Sequence, residues 1–320
     1  MLVLLTIFPI SVEAHAPKFP MGNEAADSAY VVDDVSKSSV IYNRLGDDSA
    51  HYYALKVDDE RLLIQLLVPV YDFDRGFRPH IALMVPDWSE GAPLPSYVVV
   101  PDGFGYEVLE TEVAENAEYE GFTATSFYVI VDFDELTTEL YEGELTLLIA
   151  VFHSSGMSGN YAIVVGYEES FTSTELLMVP FDLLRIYQWQ GSDMLLVMTP
   201  ILLILLMGAI LMMTMRNNGE LDLSAFLGIS GGSLMIGTAA TATVQMLIAL
   251  SNSGLSTGIV ITSLLVIMGL AGGASSILLN LQEIQTRKKR IVVVFSALLG
   301  ILSFNGLVLG PILVILSALR

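Results

Sequence analysis

The sequence contains no cysteine, and its 14 basic residues are outnumbered by 35 acidic ones. Without Cys there are no disulfides, no thiol nucleophile, no thiolate zinc site and no iron–sulfur cluster. An exported domain must then be held by its core alone, which a segment of about 150–180 residues is large enough to supply. The shortage of bases leaves a formal charge of -21, and so negative a chain repels phosphate, which excludes a nucleic-acid binder. No Gly-rich phosphate loop, metalloprotease helix or dinucleotide fingerprint occurs, and there is no Asn-x-Ser/Thr acceptor for an N-glycan.

Hydrophobic residues nevertheless make up 53% of the chain. The two properties are segregated. Residues 15–192 carry 30 Asp or Glu and 8 Lys or Arg, whereas residues 194–320 carry 3 and 6. A polar acidic domain followed by a membrane domain is the simplest organisation with that distribution. Ahead of both, residues 2–12 form an apolar run shorter than the ~20 residues a spanning helix needs. The run ends at Val12-Glu13-Ala14, which predicts a signal peptide over 1–14 cleaved after Ala14.

Between residues 39 and 167 short apolar segments of period two alternate with acidic or Gly/Pro turns. Candidate strands lie at 39–44, 51–57, 62–70, 80–85, 97–100, 106–113, 126–131, 145–153 and 160–166. Such spacing without helical periodicity predicts an antiparallel β-sandwich over residues 15–170. In 51–57 the alternation puts Tyr53, Leu55 and Val57 on the core face, opposite Tyr52, Ala54 and Lys56. The stretch Tyr52-Tyr53-Ala54-Leu55-Lys56-Val57, the following Leu62-Leu63-Ile64-Gln65-Leu66 and the closing Gly159-Asn160-Tyr161-Ala162-Ile163-Val164-Val165 resemble bacterial pre-peptidase C-terminal (PPC-type) domains. The resemblance covers residues 36–166 except 86–127. It implies a small jelly-roll-like sandwich that serves as a binding or spacer module without catalytic apparatus.

The pattern changes after Gly166. Thr172 and Glu175 have the spacing of a capping box, opening over 171–192 either an interfacial amphipathic linker helix, bent at Pro180, or a last helix of the sandwich domain; it closes in Tyr187-Gln188-Trp189. Trp189 is expected at the outer edge of the membrane. Four apolar runs follow in residues 193–320, at 194–215, 225–250, 255–281 and 291–319, each long enough to cross the hydrocarbon core. The predicted fold is therefore an extracytoplasmic sandwich plus an α-helical transmembrane bundle of four helices in the cytoplasmic membrane. A cleaved signal places residues 15–192 outside. The loop 282–290, with Arg287-Lys288-Lys289-Arg290, then faces the cytoplasm, as the positive-inside rule requires. Gly228 with Gly232, Gly269 with Gly273 and Gly306 with Gly310 are spaced for close helix approach, within one bundle, in a homo-oligomer or against a membrane-protein partner. No ionisable residue lies inside the four runs, which argues against an ion-coupled transporter. Gln245, Asn280, Asn305, Thr238, Thr241 and Thr243 are expected to hydrogen-bond between helices, and Gly310-Pro311 to loosen the fourth run.

Two metals are candidates. If cleavage follows Ala14, the amine and imidazole of His15 could chelate copper, in the manner that His15-Ala16-Pro17 resembles in proteins with a histidine brace. His51 and His153, at strand ends, are the favoured further ligands, with His80 the remaining histidine. For calcium, Asp72 with Asp74 and Asp132 with Asp134 each project two carboxylates to one side of an extended chain, and Asp47-Asp48 and Asp58-Asp59-Glu60 add acids at turns. Catalysis has little support. His153 and Ser154 point to opposite faces of a strand, and the acidic stretch 107–120 lacks an apolar wall to raise a carboxyl pKa. The expected function is a non-catalytic, membrane-anchored binding protein recognising a partner, a surface polymer or a cation, with copper handling through His15 as the alternative.

Overall fold

The structure is a computed structural model that describes residues 15–57, 61–111, 115–136, 145–282 and 287–319. The signal peptide predicted over 1–14, the turn 58–60 and residues 283–286 of the basic loop lie outside the described residues. Two compact units divide the chain. A β-rich unit draws on residues within 1–67, 77–113 and 129–171, and a helical unit on 68–76, 114–128 and 172–320.

Eleven strands are described: β1 Ala16–Lys18, β2 Tyr30–Val32, β3 Ser39–Leu45, β4 Ala50–Val57, β5 Arg61–Pro69, β6 His80–Pro86, β7 Phe104–Val108, β8 Glu118–Glu120, β9 Thr125–Leu136, β10 Leu145–Phe152 and β11 Gly159–Val165. In the β-rich unit they form two sheets, ordered β1-β3-β11-β5-β9 and β2-β4-β10-β6-β7. The central pairings are antiparallel, but β1 lies parallel to β3 and β2 parallel to β4. β4 shows the expected alternation, with Tyr53, Leu55 and Val57 buried and Lys56 exposed. Tyr52, assigned to the outer face, is buried too. The reason is a second apolar cluster on that face, in which Tyr52, Ala82, Met84, Ala150 and Phe152 pack with Val98, Leu94 and Tyr97. The segment expected as a strand at 97–100 is thus a cover laid over a sheet. It is pinned where the backbone N–H of Val99 donates to the Tyr52 hydroxyl at 2.7 Å.

The helical unit contains α1 Val70–Asp74, α2 Ser173–Trp189, α3 Met194–Asn217, α4 Leu223–Ser253, α5 Ile259–Asn280, α6 Arg287–Leu302 and α7 Leu309–Ala318, together with β8 paired to the first residues of β9. The capping box opens α2, with Thr172 and Glu175 each accepting from the other's backbone N–H. Of the aromatics closing α2, Tyr187 and Trp189 are buried within the protein, so they do not form an exposed aromatic edge. Helices α3, α4 and α5 are long and apolar enough to cross a membrane. α3 leaves Leu202, Leu203, Leu206, Met207, Ile210 and Met213 exposed, as a lipid-facing surface would.

The fourth apolar run is divided in two. Residues 303–308 turn between α6 and α7, with positive φ at Phe304, Gly306, Leu307 and Val308. Gly306 takes its φ of +93° at no steric cost, and Pro311, third residue of α7, suits a helix's first turn, where no N–H is needed. The paired glycines serve contacts within this chain. A Cβ on either Gly232 or Gly273 would stand 2.6 Å from the other's carbonyl oxygen. Gly228 makes room for Asn280, Gly269 for Asn305, and Gly310 lies against Gly231.

Candidate functional site

The histidines singled out as metal ligands take separate partners. The His15 Nδ1 is paired with the Ser38 hydroxyl, and burial lowers its pKa against an opposing effect of Glu169. The β4–β10 register places His51 opposite Val151, so His153, just beyond the strand, falls on the same face as a diagonal neighbour. Even so, His51 Nδ1 hydrogen-bonds the Tyr161 hydroxyl at 2.8 Å. The ring of His153 instead stacks on Phe77, while its Nδ1 accepts from the backbone N–H groups of Ser155 at 3.2 Å and Met157 at 3.4 Å. His80 sits near the Thr111 hydroxyl at 3.2 Å. Burial also lowers the pKa of His51, opposed by Glu24, and of His80. A polar chain continues from Tyr161 to Tyr53 at 2.6 Å and on to Asn43 at 3.2 Å, and burial pushes both phenols above their usual pKa.

The paired aspartates behave differently from each other. Asp72-Phe73-Asp74 is a helical turn and not extended chain, so residues two apart point to different sides. Asp72 is buried beside Arg75 at 3.4 Å, and Asp74 is exposed. Asp132 and Asp134 do share a face of β9. Asp132 accepts from Gln65 at 3.1 Å, and Asp134 forms a two-pronged pair with Arg61 that lowers its pKa. Among the described residues, no group of three or more His, Asp or Glu is placed to hold a metal ion.

The helical unit holds a small pocket that the sequence did not single out as a site. It lies toward the end of the bundle where α3 begins, α4 ends and α5 begins. Its apolar walls include Phe122, Pro180 and Leu184 of α2, Ile201 of α3, Val266 of α5, and Phe304 in the turn between α6 and α7. Phe122 and Phe304 meet edge to face at 5.3 Å. Polar lining comes from Tyr187, Thr238, Thr241, Thr262, Ser303 and Asn305, and no charged side chain takes part.

Most of these polar groups are satisfied by the fold. Thr241 donates to the Val197 carbonyl at 2.9 Å, Ser303 to that of Leu299 at 2.8 Å, and Thr262 to that of Gly121. The Thr262 hydroxyl also meets that of Tyr119 at 2.6 Å. Thr238 accepts from the backbone N–H of Gly306 at 2.7 Å, so α4 holds the turn that interrupts the fourth run. The Asn305 amide nitrogen donates to the carbonyls of Leu265 at 3.2 Å and Ser303 at 3.0 Å, which sets the orientation of its amide. Tyr187 and Asn305 are both buried residues. Burial raises the Tyr187 pKa and keeps the phenol protonated, a hydrogen-bond donor.

One turn along α4 from Thr241, Gln245 accepts from Gln190 at 2.7 Å and from Ser192 at 2.8 Å. Its Nε2 and the Oε1 of Gln190 are buried without partners among the described residues. The polar residues noted in the apolar runs thus do bridge between elements, at Thr241, Asn280 and Asn305, while Thr243 bonds within α4. Sequence could flag Thr238, Thr241, Asn305 and the Gly310-Pro311 interruption as unusual for a membrane helix. It carried no signal that Tyr187, Phe122 and Ala124 line a pocket with them. No family model matches the chain, and no curated protein is similar to it.

Proposed function

We propose that this protein is a membrane-anchored, non-catalytic binding protein. Its β-rich unit is a sandwich held outside the cytoplasmic membrane, where its acidic surface recognises a cationic partner, polymer or ion. The helical unit anchors it through α3, α4 and α5, with α6 and α7 making a broken fourth crossing. α2 lies along the bilayer surface, which its exposed Leu176, Leu177, Met178 and Phe181 favour.

The observation that carries this reading is the partition of the chain. Thirty acidic residues against eight basic ones precede three helices that combine spanning length with an exposed apolar surface. Engagement of His51, His153, Asp132 and Asp134 in hydrogen bonds that hold the β-rich unit supports binding over catalysis. The absence of cysteine makes sidedness directly measurable. Asp102→Cys should react with a membrane-impermeant maleimide on intact cells, and Lys288→Cys only after permeabilisation. The reverse pattern would turn the topology over. A cationic partner should accompany the protein through mild detergent extraction and be released by about 0.5 M salt. Turnover of an ester, peptide or glycoside by the purified protein would defeat the non-catalytic reading.

A further inference from the structure

We infer that the basic end of α6 binds an anionic phospholipid, its phosphate on Arg287, Lys288 and Arg290 and its acyl chains along the apolar face of the same helix. The inference rests on the reading of the helical unit as membrane-embedded. Residues 194–320 carry six basic residues, and four of them are consecutive, Arg287-Lys288-Lys289-Arg290. Cations clustered at the end of a membrane helix attract the anionic head groups of the adjoining leaflet. The nearest acid in sequence, Glu283, offsets only one of the four. Asp222 is committed elsewhere, as the N-cap of α4 that accepts from the backbone N–H of Ala225 at 2.6 Å.

Lys289 sets which way the other three cations face. Its side chain is buried, and its Nζ donates to the Gln282 carbonyl, just past the end of α5, at 2.6 Å. Val293, Ser296, Ala297 and Gly300 continue that buried face of α6. Arg287, Lys288 and Arg290 are exposed. At 3.6 residues per turn, the face opposite Lys289 begins with Arg287 and runs on through Ile291, Val294, Leu298 and Ile301, all exposed. Arg290 and Lys288 flank the head of this stripe. One helix face therefore has the layout of the lipid itself, charge first and hydrocarbon after. Its length fits as well. Ile291 to Ile301 rises about 15 Å, half of the ~30 Å hydrocarbon core, so the stripe matches the acyl chains of one leaflet. α6 then ends at Leu302. The guanidinium fork pairs two-pronged with phosphate oxygens, whereas a phosphatidylcholine head also presents its own cation to the cluster.

The test uses the full chain in a neutral detergent, with bound lipid counted by native mass spectrometry. Dioleoylphosphatidylglycerol should bind about tenfold more tightly than dioleoylphosphatidylcholine, and the difference should shrink as ammonium acetate is raised from about 50 mM to about 500 mM. Arg287→Gln should weaken phosphatidylglycerol binding about threefold to tenfold. Arg216→Gln removes an equal charge from an exposed residue at the end of α3, on the same side of the bundle, and should leave that binding unchanged. Inorganic phosphate at matched ionic strength should not displace the lipid. If Arg287→Gln fails to elute as a monodisperse species, Arg290→Gln and the comparison of the two lipids decide. Equal binding of the two lipids, equal effects of Arg287→Gln and Arg216→Gln, or displacement by phosphate would each overturn the inference. Carbonate extraction separates the two levels of failure. A chain washed from the membrane would fail the membrane reading itself, whereas a chain retained yet without preference between the two lipids fails only the anionic-lipid site.

Discussion

Buried polar side chains in the β-rich unit are kept neutral and paired. Tyr161 bonds both His51 and Tyr53, so Tyr161→Phe strands His51 and leaves Tyr53 only its bond from Asn43. An unsatisfied buried group costs about 1–3 kcal/mol, and a drop of that order should appear in denaturant unfolding of the purified protein. An unchanged midpoint would mean that the chain of hydroxyls contributes nothing to stability. The histidines set a pH dependence whose sign is fixed by burial. His15, His51 and His80 all have folded pKa values below the ordinary value of about 6.5, so the unfolded chain binds protons more readily. Their stabilising contribution is complete above that value and is lost as the pH falls below it toward the lowered folded values. The melting temperature should decline from pH 7 to pH 5, less steeply in His51→Gln. Histidine and aspartate types were visible in the sequence as candidate ligands. Their partners were not, because a hydrogen bond such as His51–Tyr161 joins positions 110 residues apart.

At the scale of elements, close helix approach depends on the absence of single atoms. Gly232 and Gly273 face each other so tightly that Gly232→Leu must push α4 from α5. Overpacking of this kind costs about 1–3 kcal/mol, whereas Leu203→Ala on the lipid face of α3 should change thermal unfolding in detergent far less. Equal effects at the two positions would deny the packing role of the glycines. The break between α6 and α7 is a second element-scale feature. Thr238→Val removes the acceptor for the Gly306 N–H and should destabilise the protein by about 1–3 kcal/mol, with increased protease cutting at residues 303–308. Glycine spacing and the capping box of α2 were legible because they are local patterns. The division of residues 291–319 was not, since hydropathy sums over a run and is insensitive to a six-residue turn whose donors are met by another helix.

For the molecule as a whole, the charge of -21 is concentrated ahead of the apolar helices. Like charges repel within the compact β-rich unit, and salt screens that repulsion. Raising NaCl from about 20 mM to about 500 mM should therefore raise its unfolding temperature, and a flat or falling response would show that acid–acid repulsion is not a significant strain. The amino-acid sequence alone determined the partition into an acidic β-rich part and an apolar helical part, the alternation within strands such as β4 and the small-residue spacing of the helices. All of these are written in residue type at short range. Only the tertiary structure decided that residues 94–100 cover a sheet, that residues 115–128 join the helical unit, and that Tyr187, Thr238 and Asn305 line one pocket. Those outcomes depend on which distant surfaces meet, and the free energy of such meetings is a sum over many weak contacts that no local pattern records.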